Sequence, residues 1–371
     1  MLQARFLSRL VIRGQPADRE VVADAVDGIL KTKLGQELAR QFVLEGAKAE
    51  VVLAPLDGAT TSYKDGVTTV SGTQGSTSVD KEPPVVTLSR AYLHAEPGWR
   101  RVSMAGTLGH ELFGHAFEQQ RAKKAGIHRA AEYHYRGDEF GSRLIDWTIQ
   151  TQLNWTNVDG DPGAYLEDPE GYARNLWAHS GYYVQTLSAE EMRNPMDTLK
   201  ARRSGLTEAL AKTREGIKDM EEWTPIIAHF KTVHKLDPRR LVDAEQEVRE
   251  YLEWARGHIV DIGDSRKALE ARISFWETPA GARERDAIVR AAGSSYIRAF
   301  ESRLKKRALD LSRLRSAGRG PASGPAMVLP GLVIAVPKTG ELPPEPVSLR
   351  ELGALYRQDK KDNPKHWETK K

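Results

Sequence analysis

The chain has 371 residues, of which 40% are hydrophobic and 29% charged, and it contains no cysteine. This length exceeds what one compact core holds and predicts two or three domains. The formal charge of +4 gives no reason to expect a nucleic-acid partner. Without cysteine the chain cannot form a disulfide, an iron–sulfur cluster or a thiol nucleophile, so a metal site must be built from His, Asp and Glu.

The first thirteen residues, M-L-Q-A-R-F-L-S-R-L-V-I-R, alternate apolar and basic side chains. They lack the continuous apolar core and the small-residue cleavage site of a secretory signal. The chain also has no run of eighteen apolar residues, so we expect no membrane-spanning helix. We therefore expect a cytoplasmic protein, or one exported by a route without a cleavable signal peptide.

The first half of the chain mixes helical and strand-like patterns. Apolar residues at i, i+3 and i+4 predict a helix over residues 18–44, with a break at Gly35. Residues 49–54 and 84–89 are typical of strands, and the segment between them, rich in Gly, Ser and Thr, predicts a hairpin or a mobile loop. Two further helices are predicted, over residues 104–126 and 137–153.

From residue 188 onward apolar residues recur at helical spacing among Lys, Arg and Glu, with prolines between the runs. This pattern predicts a bundle of long antiparallel helices without a sustained coiled-coil heptad. The sequence G-R-G-P-A-S-G-P after residue 317 has the composition of a linker. The predicted organisation is thus a mixed domain over 1–190, a helical bundle over 191–316, and a linker with a flexible tail over 317–371.

One segment contains the residue types of a metal-binding site. It reads H-E-L-F-G-H and begins at His110. In the H-E-x-x-H motif of zinc enzymes, the two His lie four residues apart and face the same way on a helix. Here they are five apart, which in a regular helix rotates the second ring by about 140° from the first. We therefore predict a single widened π turn between His110 and His115, eased by the small Gly114.

A zinc hydrolase needs a third protein ligand beside the two histidines. Glu139 opens the next predicted helix, and its side chain can project toward the motif helix. Glu132 and His134 are competing third ligands. Asp138 is placed to accept a hydrogen bond from the outer N–H of a ligand histidine, which fixes the tautomer of that ring.

The motif resembles the H-E-L-L-G-H signature of the dipeptidyl peptidase III family, a variant of the gluzincin motif. The acidic pair Asp138–Glu139 is similar to the opening of that family's downstream E-E-x-x-A-E stretch. The arrangement over residues 15–153 also resembles small zinc-peptidase domains of bacterial secreted effectors and toxins. This resemblance implies one Zn²⁺ bound by His110, His115 and Glu139, with Glu111 as the base that takes a proton from the attacking water.

The fold implied by the resemblance is α+β: a small zincin-like domain with a short antiparallel sheet and active-site helices, followed by an all-α bundle. The implied activity is zinc-dependent hydrolysis of a protein or peptide, and residues 85–88 are the expected edge strand for that substrate. The helical bundle is a candidate surface for a protein partner. Tyrosines and one histidine are candidate donors to the oxyanion: Tyr133, His134, Tyr135, Tyr182 and Tyr183.

Two alternatives remain open at this point. The motif helix can belong to a catalytically inactive scaffold that works through its helical bundle, or to a metal-dependent hydrolase with a non-peptide substrate. Four histidines later in the chain lack partners at ligand spacing and receive no role: His229, His234, His258 and His366.

Overall fold

The structure is a computed structural model that describes residues 2–64, 67–129, 134–154, 162–168, 171–172, 185–318 and 347–367. Over these residues the chain forms two compact units. The first unit comprises Met1–Thr198 and Ile273–Ser323, and the second comprises Leu199–Arg272 and Gly324–Lys371. Among the described residues, no helix combines the length and the apolar character that a membrane crossing needs.

This division differs from the predicted boundaries at 190 and 316. Residues 273–316, which were expected in the helical bundle, belong to the first unit, where they pack on the helices that follow the motif. The Tyr296 hydroxyl donates to the Glu118 carbonyl oxygen at 3.0 Å. A Cβ added at Gly141 would lie 2.9 Å from the Leu304 side chain, so the two helices approach closely there.

Most of the described residues are helical. The helices are α1 (Leu2–Leu7), α2 (Pro16–Leu30), α3 (Lys33–Leu44), α4 (Pro97–Gly109), α5 (Glu118–Lys124), α6 (Arg136–Gln152), α7 (Pro162–Glu167), α8 (Pro195–Glu221), α9 (Trp223–Thr232), α10 (Val242–Glu277), α11 (Pro279–Ala292), α12 (Ser295–Gly318) and α13 (Leu349–Asp362). The predicted helix over 18–44 is two helices, and the break lies between Leu30 and Lys33 rather than at Gly35. Thr32 caps the second helix, because its hydroxyl accepts a hydrogen bond from the Gly35 N–H at 3.0 Å.

The strands are β1 (Leu10–Arg13), β2 (Ala49–Ala54), β3 (Thr60–Lys64), β4 (Val67–Ser71), β5 (Gly75–Ser78) and β6 (Val85–Ser89). Four of them form one sheet in the order β1-β2-β6-β5, and β3 and β4 form a separate hairpin. The hairpin alternative for the segment between β2 and β6 is therefore confirmed.

The predicted antiparallel sheet is wrong, because β1, β2 and β6 are mutually parallel and only β5 runs antiparallel to its neighbour. The reason lies in the connection from β1 to β2. It contains α2 and α3, and a helical crossover returns the chain in the same direction. The α+β class holds, with a small mixed sheet.

An aromatic cluster anchors the motif segment in the core of the first unit. The rings of Phe113 and Phe117 lie within the motif, and both side chains are buried. Phe113 stacks on Phe6 with ring centroids 5.7 Å apart, and Phe117 meets Phe42 edge-on at 5.2 Å. One side of the motif helix is thereby fixed in the core, which leaves the polar side of the same segment to form a site.

The second unit has its own apolar core, which includes Ile227, Phe230, Leu241 and Leu352. Residues 347–367, which were expected in a flexible tail, contain α13 followed by a short 3₁₀-helix. Two features hold this helix in place: Ser348 forms a capping box with Glu351, and Leu352 is fully buried.

Candidate metal centre

The predicted widening of the motif helix is confirmed. The helix is regular through Gly109, becomes a π-helix over His110–Phe117, and resumes α geometry at Glu118. A π turn is closed by an i→i+5 hydrogen bond, so side chains five residues apart point to the same side of the helix. As a result the Nε2 atoms of His110 and His115 lie 3.1 Å apart, on the same side of the helix.

Gly114 also allows α6 to approach the motif helix closely. A Cβ added at Gly114 would lie 2.7 Å from the Ser142 Cα and 2.4 Å from its Cβ. No side chain fits in that space unless the two helices move apart. Glu139 lies on α6, so the close approach that Gly114 allows also sets the distance between Glu139 and the two histidines.

We expect Gly114→Ala to lower the free energy of unfolding of the first unit by about 1–3 kcal/mol, the usual cost of overpacking. It should also weaken metal binding, because α6 must shift. Gly205→Ala is the matched control, since nothing lies within 4 Å of a Cβ there and the change should be neutral or slightly stabilising. Chemical denaturation and a zinc titration measure both effects, and equal behaviour of the two variants would disprove the close approach.

Glu139 is the acidic residue that the structure brings to the histidines. Its Oε2 lies 3.2 Å from His115 Nε2, and its Oε1 lies 3.6 Å from His110 Nε2. The three ligand atoms all fall within 4.8 Å of one another. Glu139 lies in the first turn of α6, so its placement follows directly from the position of that helix against the motif.

These distances fit a tetrahedral ion. Two ligands that each lie about 2.0–2.1 Å from Zn²⁺ at a tetrahedral angle are about 3.3–3.4 Å apart. The separations of 3.1, 3.2 and 3.6 Å in the cluster bracket that value. Two imidazoles and one carboxylate are also the ligand set of open catalytic zinc sites, which keep a fourth position for water or substrate.

Asp138 lies where the sequence predicts a partner for a ligand histidine. Its Oδ2 is 2.9 Å from Nδ1 of His115, the ring atom opposite the one that faces Glu139. This contact fixes the ring orientation and leaves Nε2 available as the ligand atom. The Arg143 Nε–H donates to Glu139 Oε1 at 3.0 Å and so orients the carboxylate of the third candidate ligand.

The electrostatics of the cluster favour a cation. Burial alone would lower the pKa of His115, but the carboxylates of Asp138 and Glu139 outweigh it and raise that pKa well above the usual value. Burial alone would raise the pKa of Glu139, yet the two histidines hold it well below its usual range. Both shifts have the same cause, the attraction between the carboxylates and the imidazoles, and the negative charge that the carboxylates place around the imidazoles also favours a bound metal ion.

Glu111 follows the first histidine and is held by the sheet. The Thr77 hydroxyl lies 2.7 Å from Glu111 Oε2 and 3.1 Å from the Glu111 carbonyl oxygen. A Cβ added at Gly75 would lie 2.8 Å from Glu111 Cγ, so glycine is required for this approach. Both residues belong to β5, which therefore runs along the motif helix beside the candidate base.

The expected edge strand is corrected by this arrangement. Residues 85–88 belong to β6, which is paired on both sides, with β2 and with β5. The edge beside the motif is β5. The sequence does not reveal this, because β5 consists of G-S-T-S and lacks the apolar alternation that indicates a strand.

The other candidates for the site lie elsewhere. His134 is buried, and its Nε2 faces Glu284 at 3.3 Å rather than the motif histidines. Tyr135 is also buried, with its ring edge-on against Phe300. Four candidates lie outside the described residues: Glu132, Tyr133, Tyr182 and Tyr183. The oxyanion donor therefore stays a prediction without an assigned residue.

Comparisons of the chain with protein-family models, with curated proteins and with solved structures found no match.

Proposed function

We propose that the first unit is a zinc-dependent peptidase. One observation carries the proposal: the π turn and α6 bring two imidazole Nε2 atoms and a carboxylate together, with Glu111 next in sequence to the first histidine. Open catalytic zinc sites keep three protein ligands, and in the helical motif of zinc peptidases the glutamate directly after the first histidine is the general base. The gluzincin-like motif supports the same conclusion.

Each residue has a distinct task in this proposal. His110, His115 and Glu139 hold the ion, and Asp138 keeps the His115 ring in the orientation that presents Nε2. A zinc ion held by these residues would act as a Lewis acid: it would polarise the scissile carbonyl and lower the pKa of water toward about 7. Glu111 accepts the proton of the attacking water and returns it to the leaving amine, as a general base and then a general acid.

The edge strand β5 supports an extended peptide as substrate. Within the described part of the first unit, β5 pairs with β6 on one side and ends the sheet on the other. A peptide that adds to this edge gains main-chain hydrogen bonds along the four residues of β5, without any requirement on its sequence. Thr77 on the same strand contacts Glu111, so a peptide bound there lies beside the base.

The proposal is tested with the purified full chain and a broad mixture of peptides. Cleavage detected by mass spectrometry should stop when a chelator removes zinc and return when zinc is added back. Chelator-sensitive hydrolysis of ester or phosphate substrates, with all peptides intact, would favour the non-peptide hydrolase instead. A chain that binds no metal and cleaves nothing would favour the inactive scaffold.

Thr77 is a positioning residue for the base. We expect Thr77→Val to lower kcat/KM by about 10–100-fold, the value of one hydrogen bond to a charged group, with zinc content unchanged. Thr77→Ser keeps the hydroxyl and should restore most of the activity. Steady-state kinetics with parallel metal analysis measure this effect. If the valine and serine variants lose activity equally, the hydroxyl does not orient Glu111.

A further inference from the structure

A second group of metal-ligating side chains lies in the second unit. It consists of His229, His234 and Asp359, whose ligand atoms all fall within 4.8 Å of one another. Asp359 Oδ2 lies 3.1 Å from His234 Nε2 and 3.7 Å from His229 Nε2. All three residues are described within this one unit, separate from the site proposed above.

The end of α9 explains how the two histidines meet. They are five residues apart, as in the catalytic motif, but here the helix ends at Thr232. Lys235 then adopts a left-handed conformation with φ of 50°, and the Leu236 N–H donates to the Phe230 carbonyl oxygen at 3.0 Å. This helix-ending turn reverses the chain, so that the rings of His229 and His234 lie 5.3 Å apart between centroids.

Asp359 reaches the same place from the C-terminal segment. It lies on α13, and its carboxylate is held by two donors: the Trp367 Nε1–H to Oδ2 at 2.6 Å, and the Asn363 Nδ2–H to Oδ1 at 2.9 Å. The Asp359 side chain is only 6% exposed. Carboxylates that ligate metal ions are themselves hydrogen-bonded in this way, because the outer partners fix their geometry.

We propose that His229, His234 and Asp359 form a second metal site, which takes a divalent transition-metal ion such as zinc and ties α13 to the end of α9. The separations of 3.1 and 3.7 Å lie on either side of the 3.3–3.4 Å or so expected between tetrahedral zinc ligands. Two imidazoles select zinc, nickel, copper or cobalt over calcium and magnesium, which require mainly oxygen ligands.

The surroundings favour an ion that ties the fold together, although only three protein ligands lie among the described residues. The His229 ring packs on Trp367 at 4.1 Å between centroids, and the His234 ring stacks on Phe230 at 5.0 Å. These contacts lock both rings into the geometry that converges on Asp359. An ion at this point joins residues that are distant in the chain, so it stabilises the folded arrangement of the second unit.

Zinc stoichiometry in the full-length protein tests this site independently of the first. After dialysis against micromolar zinc and removal of free metal, we expect two zinc ions per chain in the wild type and one in His115→Ala. Adding His234→Ala or the isosteric Asp359→Asn to His115→Ala should leave none. Loss of an outer partner alone weakens metal binding 10–100-fold, so loss of a ligand should weaken it by more than about 100-fold.

Asp362→Asn, an exposed change on the same helix, is the matched control and should keep the second ion. Folding is checked by circular dichroism, and His234 is partly exposed, so its replacement removes little packing. The second site is overturned if His115→Ala holds no zinc, or if its zinc survives both His234→Ala and Asp359→Asn. If instead His115→Ala holds as much zinc as the wild type while His234→Ala loses it, the second site stands and the first one fails.

Discussion

Glu111→Gln is expected to reduce peptide hydrolysis by about 10²–10⁴-fold, the typical contribution of a general base, while the zinc content stays unchanged. The amide has nearly the same shape as the carboxylate and still accepts the hydrogen bond from Thr77. It cannot take a proton from water. The loss should therefore fall on kcat, with KM affected little, because Glu111 acts on the reacting atoms rather than on the bound peptide.

The control for this variant is Glu20→Gln, an exposed change of the same kind on α2. Its activity should equal that of the wild type. Steady-state kinetics on a single cleaved peptide, with zinc measured on the same samples, give both quantities. A Glu111→Gln protein that retains its zinc and full activity would contradict the role given to the base.

Replacement of a ligand should have a larger effect on metal binding than any other change in the first unit. For His110→Ala, His115→Ala and Glu139→Gln we expect the affinity of this site for zinc to fall by more than about 100-fold, with loss of hydrolysis. Asp138→Asn should have an intermediate effect of about 10–100-fold, because it removes only the partner of the His115 ring.

The measurement is competition for zinc with a chromophoric chelator, made in a His234→Ala background so that only one site is read. His94→Ala, an exposed histidine in the same unit, serves as the control and should bind zinc as before. The decisive comparison is between the losses of zinc affinity in Asp138→Asn and in Glu139→Gln. If Asp138→Asn weakens zinc binding as much as Glu139→Gln does, Asp138 is itself a ligand and the assignment of the third position is wrong.

The sequence predicts the local features of the site well. The spacing of His110 and His115 leads directly to the π turn, because no other helical geometry brings the two rings together. Glu139 and Asp138 follow from their place at the start of the next helix, since α6 packs on the motif. The contact between Gly114 and Ser142 was not predicted, because a close approach between helices depends on a partner that is distant in sequence.

The features that depend on long-range pairing are not predictable from one sequence. The strand β5 has no apolar pattern, and only its register against β6 brings Thr77 to Glu111. The direction of β1 and β2 depends on a crossover connection, which the strand pattern alone does not reveal. Asp359 lies on α13, far along the chain from His229 in α9 and from His234 just beyond the end of α9, so the sequence does not indicate that the three residues meet.

The central claim is that the π turn and α6 build a three-ligand metal site. The most direct test is a crystal structure of the purified protein with anomalous data collected on both sides of the zinc absorption edge. We expect an anomalous peak about 2.0–2.1 Å from the Nε2 atoms of His110 and His115 and about 2.0–2.2 Å from an oxygen of Glu139. A map from zinc-loaded crystals with no peak between these three residues, or with the two imidazoles turned away from each other, would contradict it.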